Sequence, residues 1–137
     1  MKKLFLFDID GTLISPSNIA RKLLDKILID QFGKSPNLKY EDVAGSTDLL
    51  IIENALHKID CKTNLNETVD KVLNIYIKKL KLLFEESKKP FVYKDTIKLL
   101  DIVIKNKYSY GLLTGNIKEA AKIKLKKFNL WEKFAFG

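Results

Sequence analysis

Three observations in the sequence predict an α/β fold, with a parallel sheet interrupted by a long helical segment. Leu4–Phe7 and Tyr108–Leu113 are short apolar runs that read as buried strands of a parallel sheet. Each run leads into a polar turn containing glycine, Asp8-Ile9-Asp10-Gly11-Thr12 after the first and Thr114-Gly115-Asn116 after the second. Between them, about 70 residues from Ser15 to Lys89 carry helical periodicity and helix punctuation only.

The first turn carries the chemistry. Residues i and i+2 of an extended strand point to one side, so Asp8 and Asp10 can face a single pocket. Two acids so close repel, and a buried pair needs a cation or a shared proton. Mg²⁺ suits them, because it binds carboxylate oxygens together with substrate phosphate. Gly11 allows a sharp turn and a close approach of ligand to backbone. At the second turn, the Thr114 hydroxyl can donate to a phosphate oxygen, and the N–H groups opening the next helix add to it. In open α/β sheets ligands bind at this carboxyl edge.

Composition narrows the function. With 137 residues and 46% apolar content, the chain suffices for one domain or one domain with an insert. No run of about 18 apolar residues is present, so no membrane span is expected. The start Met1-Lys2-Lys3 lacks the longer apolar core and cleavage site of a signal peptide. The single Cys61 cannot form an internal disulfide, and a reducing cytoplasm fits. The net charge of +8 would suit nucleic acid, but Arg21 is the one arginine among the basic residues and the lysines are scattered. We therefore expect no nucleic-acid partner, and solvated helix faces instead.

In chain order, Ser17 is the expected cap of a helix marked by Ile19, Leu23, Leu24, Ile27, Leu28 and Phe32 and closed by Gly33. Gly33 to Gly45 reads as loop. Ser46 or Thr47 caps a second helix with Leu50, Ile51, Leu56 and Ile59 as its apolar positions. A longer helix follows from about Glu67 to Ser87, with Val69, Val72, Leu73, Tyr76, Leu80, Leu83 and Phe84 as its stripe. Phe91-Val92-Tyr93 leads into a helix from about Asp95 to Asn106, with Leu99, Leu100, Val103 and Ile104 inward. A last helix runs from about Ile117 to Phe128, with Ala120, Ala121, Leu125 and Phe128 inward. Asn129 can close it in the left-handed conformation, and Phe134-Ala135-Phe136 reads as the start of a third strand.

The stretch Asp8-Ile9-Asp10-Gly11-Thr12, at a strand end, resembles the first signature motif of the haloacid dehalogenase-like hydrolase superfamily. Leu113-Thr114-Gly115-Asn116 resembles the second, and the helix ending Lys124-Leu125 to Leu130-Trp131 is similar to the group near the phosphoglycolate phosphatases. Gly45-Ser46-Thr47-Asp48 resembles that group's substrate loop. The resemblance implies a Rossmann-like core over 1–14 and 90–137, and a helical cap over 15–89. It implies a Mg²⁺-dependent phosphatase acting on a small phosphorylated metabolite. Asp8 would be the nucleophile and Asp10 the general acid and base, with both at the metal. Gly11, Thr114, Gly115 and Asn116 would hold the phosphoryl group, and Thr47 and Asp48 would face the substrate from the cap.

The family's third element is a Lys or Arg that balances charge, and its fourth is an acidic pair on a later strand. The sequence ends at Gly137, before both, so an incomplete sheet is expected. Among Lys118, Lys122 and Lys124, the last is the better substitute for the third element. A catalytically impaired module that binds phosphate, Mg²⁺ or a partner is the alternative. With later strands missing, Leu4–Phe7 becomes an edge, through which self-association is expected.

Overall fold

The computed structural model of the chain describes residues 3–134. They form two compact units. One comprises the residues up to Ser17 and those from Glu86 onward; the other is Asn18–Glu85.

In the first unit, strand β1 (Leu4–Phe7) pairs in parallel with β4 (Ser109–Leu112), in the register Leu4 with Ser109 through Phe7 with Leu112. The expected α/β class is thus present as a small, incomplete parallel sheet. The Leu113 N–H donates to the Phe7 carbonyl at 2.9 Å, carrying the pairing to the strand exits. Phe7 is buried and meets Phe134 edge to face, with ring centroids 6.0 Å apart. Helix α5 (Lys94–Lys105) buries Leu100 and Val103, and α6 (Lys118–Lys126) buries Ala120, Ala121, Lys124 and Leu125. Burying side chains of the Val or Leu class contributes roughly 1.5–3 kcal/mol each. Asn129 follows α6 at φ +55°, as its left-handed tolerance predicts, and a 3-10 turn (Trp131–Lys133) follows. The third strand expected at Phe134-Ala135-Phe136 lies largely outside the described residues.

A second pair of strands was not foreseen. β2 (Ile14–Ser15) and β3 (Phe91–Val92) run antiparallel, and the Tyr93 N–H donates to the Leu13 carbonyl at 3.0 Å. The chain leaves and re-enters this unit through strands that pair with each other. Ser17 is not the helix cap. It sits at φ +51° and its hydroxyl donates to the Lys89 carbonyl at 2.8 Å, which ties the same two segments together. Asn18, at φ +62°, precedes the helix instead.

The second unit is all helix: α1 (Ile19–Phe32), α2 (Tyr40–Val43), α3 (Asp48–Lys58) and α4 (Leu65–Glu86). Gly33 ends α1 at φ +68°, where a left-handed residue is needed. In α4 the buried residues are Thr68, Val72, Tyr76, Leu80 and Phe84, a strict four-residue stripe down one face. Asn64 caps it, its carbonyl accepting from the Thr68 N–H and hydroxyl. The expected loop between Gly33 and Gly45 contains α2, held where Asp42 accepts from the Lys39 N–H at 2.7 Å. Arg21 donates to the Leu38 carbonyl at 3.1 Å. Several apolar assignments need correction: Leu50, Leu83 and Leu99 on the helices are exposed, as are Leu4, Leu6, Tyr108 and Leu113 in the runs read as buried strands. In unbroken apolar runs such as Leu49 to Ile52, several faces fit the helical period equally well.

Among the described residues, no helix is long and apolar enough to cross a membrane.

Candidate phosphoryl site at the strand exits

After β1 the chain makes one wide helical turn. The Ile9 carbonyl accepts from the N–H groups of Thr12, Leu13 and Ile14, at 3.3, 3.0 and 3.0 Å. Ile9, Leu13 and Ile14 are fully buried, so the turn is anchored by its apolar side chains. Gly11 occupies φ +82°, which a residue with a side chain adopts only with strain, and its N–H donates to the Ile14 carbonyl at 2.8 Å. Its amide is therefore engaged within the turn.

This anchoring presents Asp8 and Asp10 differently. Asp8 is exposed, and its Oδ1 accepts from the Ile9 N–H at 2.8 Å, which fixes the carboxylate. Asp10 is half-buried. Its Oδ2 accepts from Lys124 Nζ at 2.6 Å and from Asn116 Nδ2 at 2.9 Å. Its Oδ1 is buried with no hydrogen-bond partner. Asp10 and Lys124 are 114 positions apart in sequence, and the fold brings them together at the two strand exits.

The second turn completes the cluster. Thr114 Oγ1 accepts from Asn116 Nδ2 at 2.8 Å and from the Asn116 N–H at 3.3 Å. Lys124 Nζ also donates to Asn116 Oδ1. Helix α6 supplies Lys124 from the face that buries Ala120, Ala121 and Leu125, and the Lys124 side chain is only 3% exposed. Its position in that stripe is the signal that separates it from Lys118 and Lys122, which are exposed. Asp10, Thr114, Asn116 and Lys124 thus form one hydrogen-bonded network, with Asp8 on the adjoining strand exit. The side-chain role of Asn116 was missed in the sequence, where its backbone N–H drew attention.

Thr47 and Asp48 belong to the helical unit, where the Thr47 hydroxyl accepts from the Leu50 N–H at 3.3 Å and caps α3.

The donor set can be tested against Mg²⁺. The Asp8 carboxylate is accessible, and Asp10 keeps one oxygen, Oδ1, without a hydrogen-bond partner. Among the described residues no group of three or more metal-ligating side chains gathers. One or two carboxylates with substrate oxygens and water match the way Mg²⁺ is usually held, so the residues fit it.

The comparisons with known proteins bear on the family and the fold. The model of the haloacid dehalogenase-like hydrolase family matches residues 5–136. A predicted phosphoglycolate phosphatase from Haemophilus somnus superposes with a TM-score of 0.67 at 16% identity, over 98% of this chain and 60% of that one. A HAD hydrolase of family IA, variant 3, from Entamoeba histolytica superposes with a TM-score of 0.65 at 20% identity, over 98% and 58%. The chain therefore spans about 60% of the length of these structures. No curated protein matches it. With the family match running from β1 through the last described residue, the chain belongs to the haloacid dehalogenase-like hydrolase family.

Proposed function

We propose that the chain carries the phosphoryl-transfer site of a Mg²⁺-dependent phosphatase acting on small phosphorylated metabolites. One observation carries this reading: an exposed, fixed Asp8 carboxylate stands beside an Asp10 bound to a buried Lys124. A nucleophile, a proton carrier and a positive charge are thereby gathered at one sheet edge.

Asp8 attacks phosphorus, forming an aspartyl-phosphate as the bond to the leaving oxygen breaks. Asp10 donates a proton to that oxygen. A water then attacks the phosphoenzyme, Asp10 takes its proton, and the bond between phosphorus and the Asp8 oxygen breaks to release inorganic phosphate. The Thr114 hydroxyl and the backbone N–H of Gly115 hold the phosphoryl oxygens, and Lys124 offsets the charge that gathers there. Asp8 and the main-chain carbonyl of Asp10 would hold Mg²⁺, which when bound neutralises phosphoryl charge. In this reading the helical unit acts as a cap that selects substrate and excludes water, with Thr47 and Asp48 in its substrate loop.

Turnover of a panel of small phosphate esters with Mg²⁺ tests the proposal. Asp8→Asn should reduce it by roughly 10⁴-fold or more, a loss typical of a covalent nucleophile. The melting temperature should hardly move, because Asp8 is exposed. Undiminished hydrolysis by the variant would refute the assignment.

A further inference from the structure

We infer that the Asn116 side chain is a positioning residue that commits each of its three neighbours to a single task. The inference rests on the phosphatase reading and adds to it what holds Asp10, Thr114 and Lys124 in place.

The hydrogen bonds admit one orientation of the Asn116 amide. Lys124 has only hydrogens to give, so the atom it meets is Oδ1. Nδ2 then faces Asp10 Oδ2 at 2.9 Å and Thr114 Oγ1 at 2.8 Å and donates to both. A primary amide has two such hydrogens, and both are used. No other uncharged side chain of this size offers two donors and an acceptor from one planar group.

Each neighbour is narrowed in consequence. Asp10 Oδ2 receives two donors, Asn116 Nδ2 and Lys124 Nζ, which together fix the orientation of the carboxylate. Thr114 Oγ1 accepts from both nitrogens of Asn116, and these fill the two lone pairs of the hydroxyl. What remains to Thr114 is its hydrogen, so it meets a ligand as a donor, the correct polarity for a phosphoryl oxygen. Lys124 is held between Oδ1 of Asn116 and Oδ2 of Asp10, which fixes its charge on the site.

The test compares wild type, Asn116→Ala, Asn116→Asp and Asp8→Asn on p-nitrophenyl phosphate and phenyl phosphate with Mg²⁺. Phenolate is the poorer leaving group and depends more on the proton from Asp10. Asn116→Ala should lower kcat about 10–100-fold, more for phenyl than for p-nitrophenyl phosphate, with a smaller change in KM. A residue that merely supports the fold would depress both esters equally, and that result overturns the inference. Asn116→Asp keeps the acceptor for Lys124 but loses both donors. It should show the same split between esters, and it decides the matter if the alanine variant does not fold.

Lysine labelling decides where neither ester is hydrolysed. Reductive methylation followed by peptide mass mapping should spare Lys124 in wild type and Asn116→Asp, and label it several-fold faster in Asn116→Ala. Equal labelling in all three overturns the inference. If Asp8→Asn retains full turnover, the phosphatase reading fails first. If Asp8→Asn is inactive and the Asn116 variants show no split between esters, only the role of Asn116 falls.

Discussion

Both units of the chain carry exposed ion pairs, and the sheet unit holds a buried one as well. In the helical unit the ion pairs lie at the surface: Lys79 with Asp30 at 3.3 Å, both side chains more than 40% exposed, and Lys58 with Asp42 at 2.7 Å. In the sheet unit Lys124 is buried against Asp10, at 2.6 Å. Exposed pairs contribute about 0–1 kcal/mol and are screened by salt. A buried pair loses much of its attraction to desolvation, so stability does not explain its presence. The contrast marks the Lys124–Asp10 pair as one that stability alone does not account for, and the proposed phosphoryl chemistry would supply a reason for it.

The largest expected effect separates stability from turnover. Lys124→Met removes the buried charge and keeps its volume. It should change unfolding free energy by less than about 2 kcal/mol in denaturant titrations while lowering turnover roughly 100-fold or more. Asp10→Ala leaves the Lys124 charge buried without its carboxylate, and should cost about 3–5 kcal/mol. If the two variants prove equally destabilised, the pair is structural and the contrast between the units disappears.

An intermediate effect concerns the exposed strand. Among the described residues β1 pairs with β4 alone, and Leu4 and Leu6 are 63% and 52% exposed. An apolar edge of this kind pairs readily with other chains. Sedimentation velocity should show association rising with concentration, reduced by Leu4→Lys combined with Leu6→Lys. A wild-type monomer at high concentration would remove the proposal.

The smallest effect lies in the helical unit. The Asp42 carboxyl is held below its ordinary value of 3.8, first by the hydrogen bond from Lys58 and then by the Lys39 N–H. A carboxyl lowered on folding stabilises the fold above its unfolded value, and that contribution is lost as pH falls through the lower, folded value. Thermal melts of wild type and Asp42→Asn should therefore differ slightly at neutral pH and converge on acidification below 3.8. A gap that widens towards acid would contradict the assignment.

How far the sequence could be read depended on whether a residue's role is local. β1, α1, the Gly33 stop and the left-handed Asn129 follow from neighbouring residues, and each was legible. The β2–β3 pairing was not, because strands of two residues have no period to detect. The Asp8–Asp10 spacing marked the site, yet Asn116 looked like a helix-start residue because its amide contacts depend on a lysine two helical turns away. Lys124 was already preferred to Lys118 and Lys122 in the sequence, and its place beside Ala120, Ala121 and Leu125 on the buried face of α6 is a second signal for it. A lysine in that stripe must be satisfied by an acceptor, and Asp10 is that acceptor only once the sheet has formed.

The most direct measurement is to trap the phosphoenzyme. The chain is mixed with a phosphorylated substrate and Mg²⁺, quenched in acid and mapped by peptide mass spectrometry. A phosphoryl adduct on the peptide carrying Asp8, absent from Asp8→Asn and accumulating in Asp10→Asn, is the predicted result. Hydrolysis with no adduct at Asp8, or an adduct on another residue, would contradict the account.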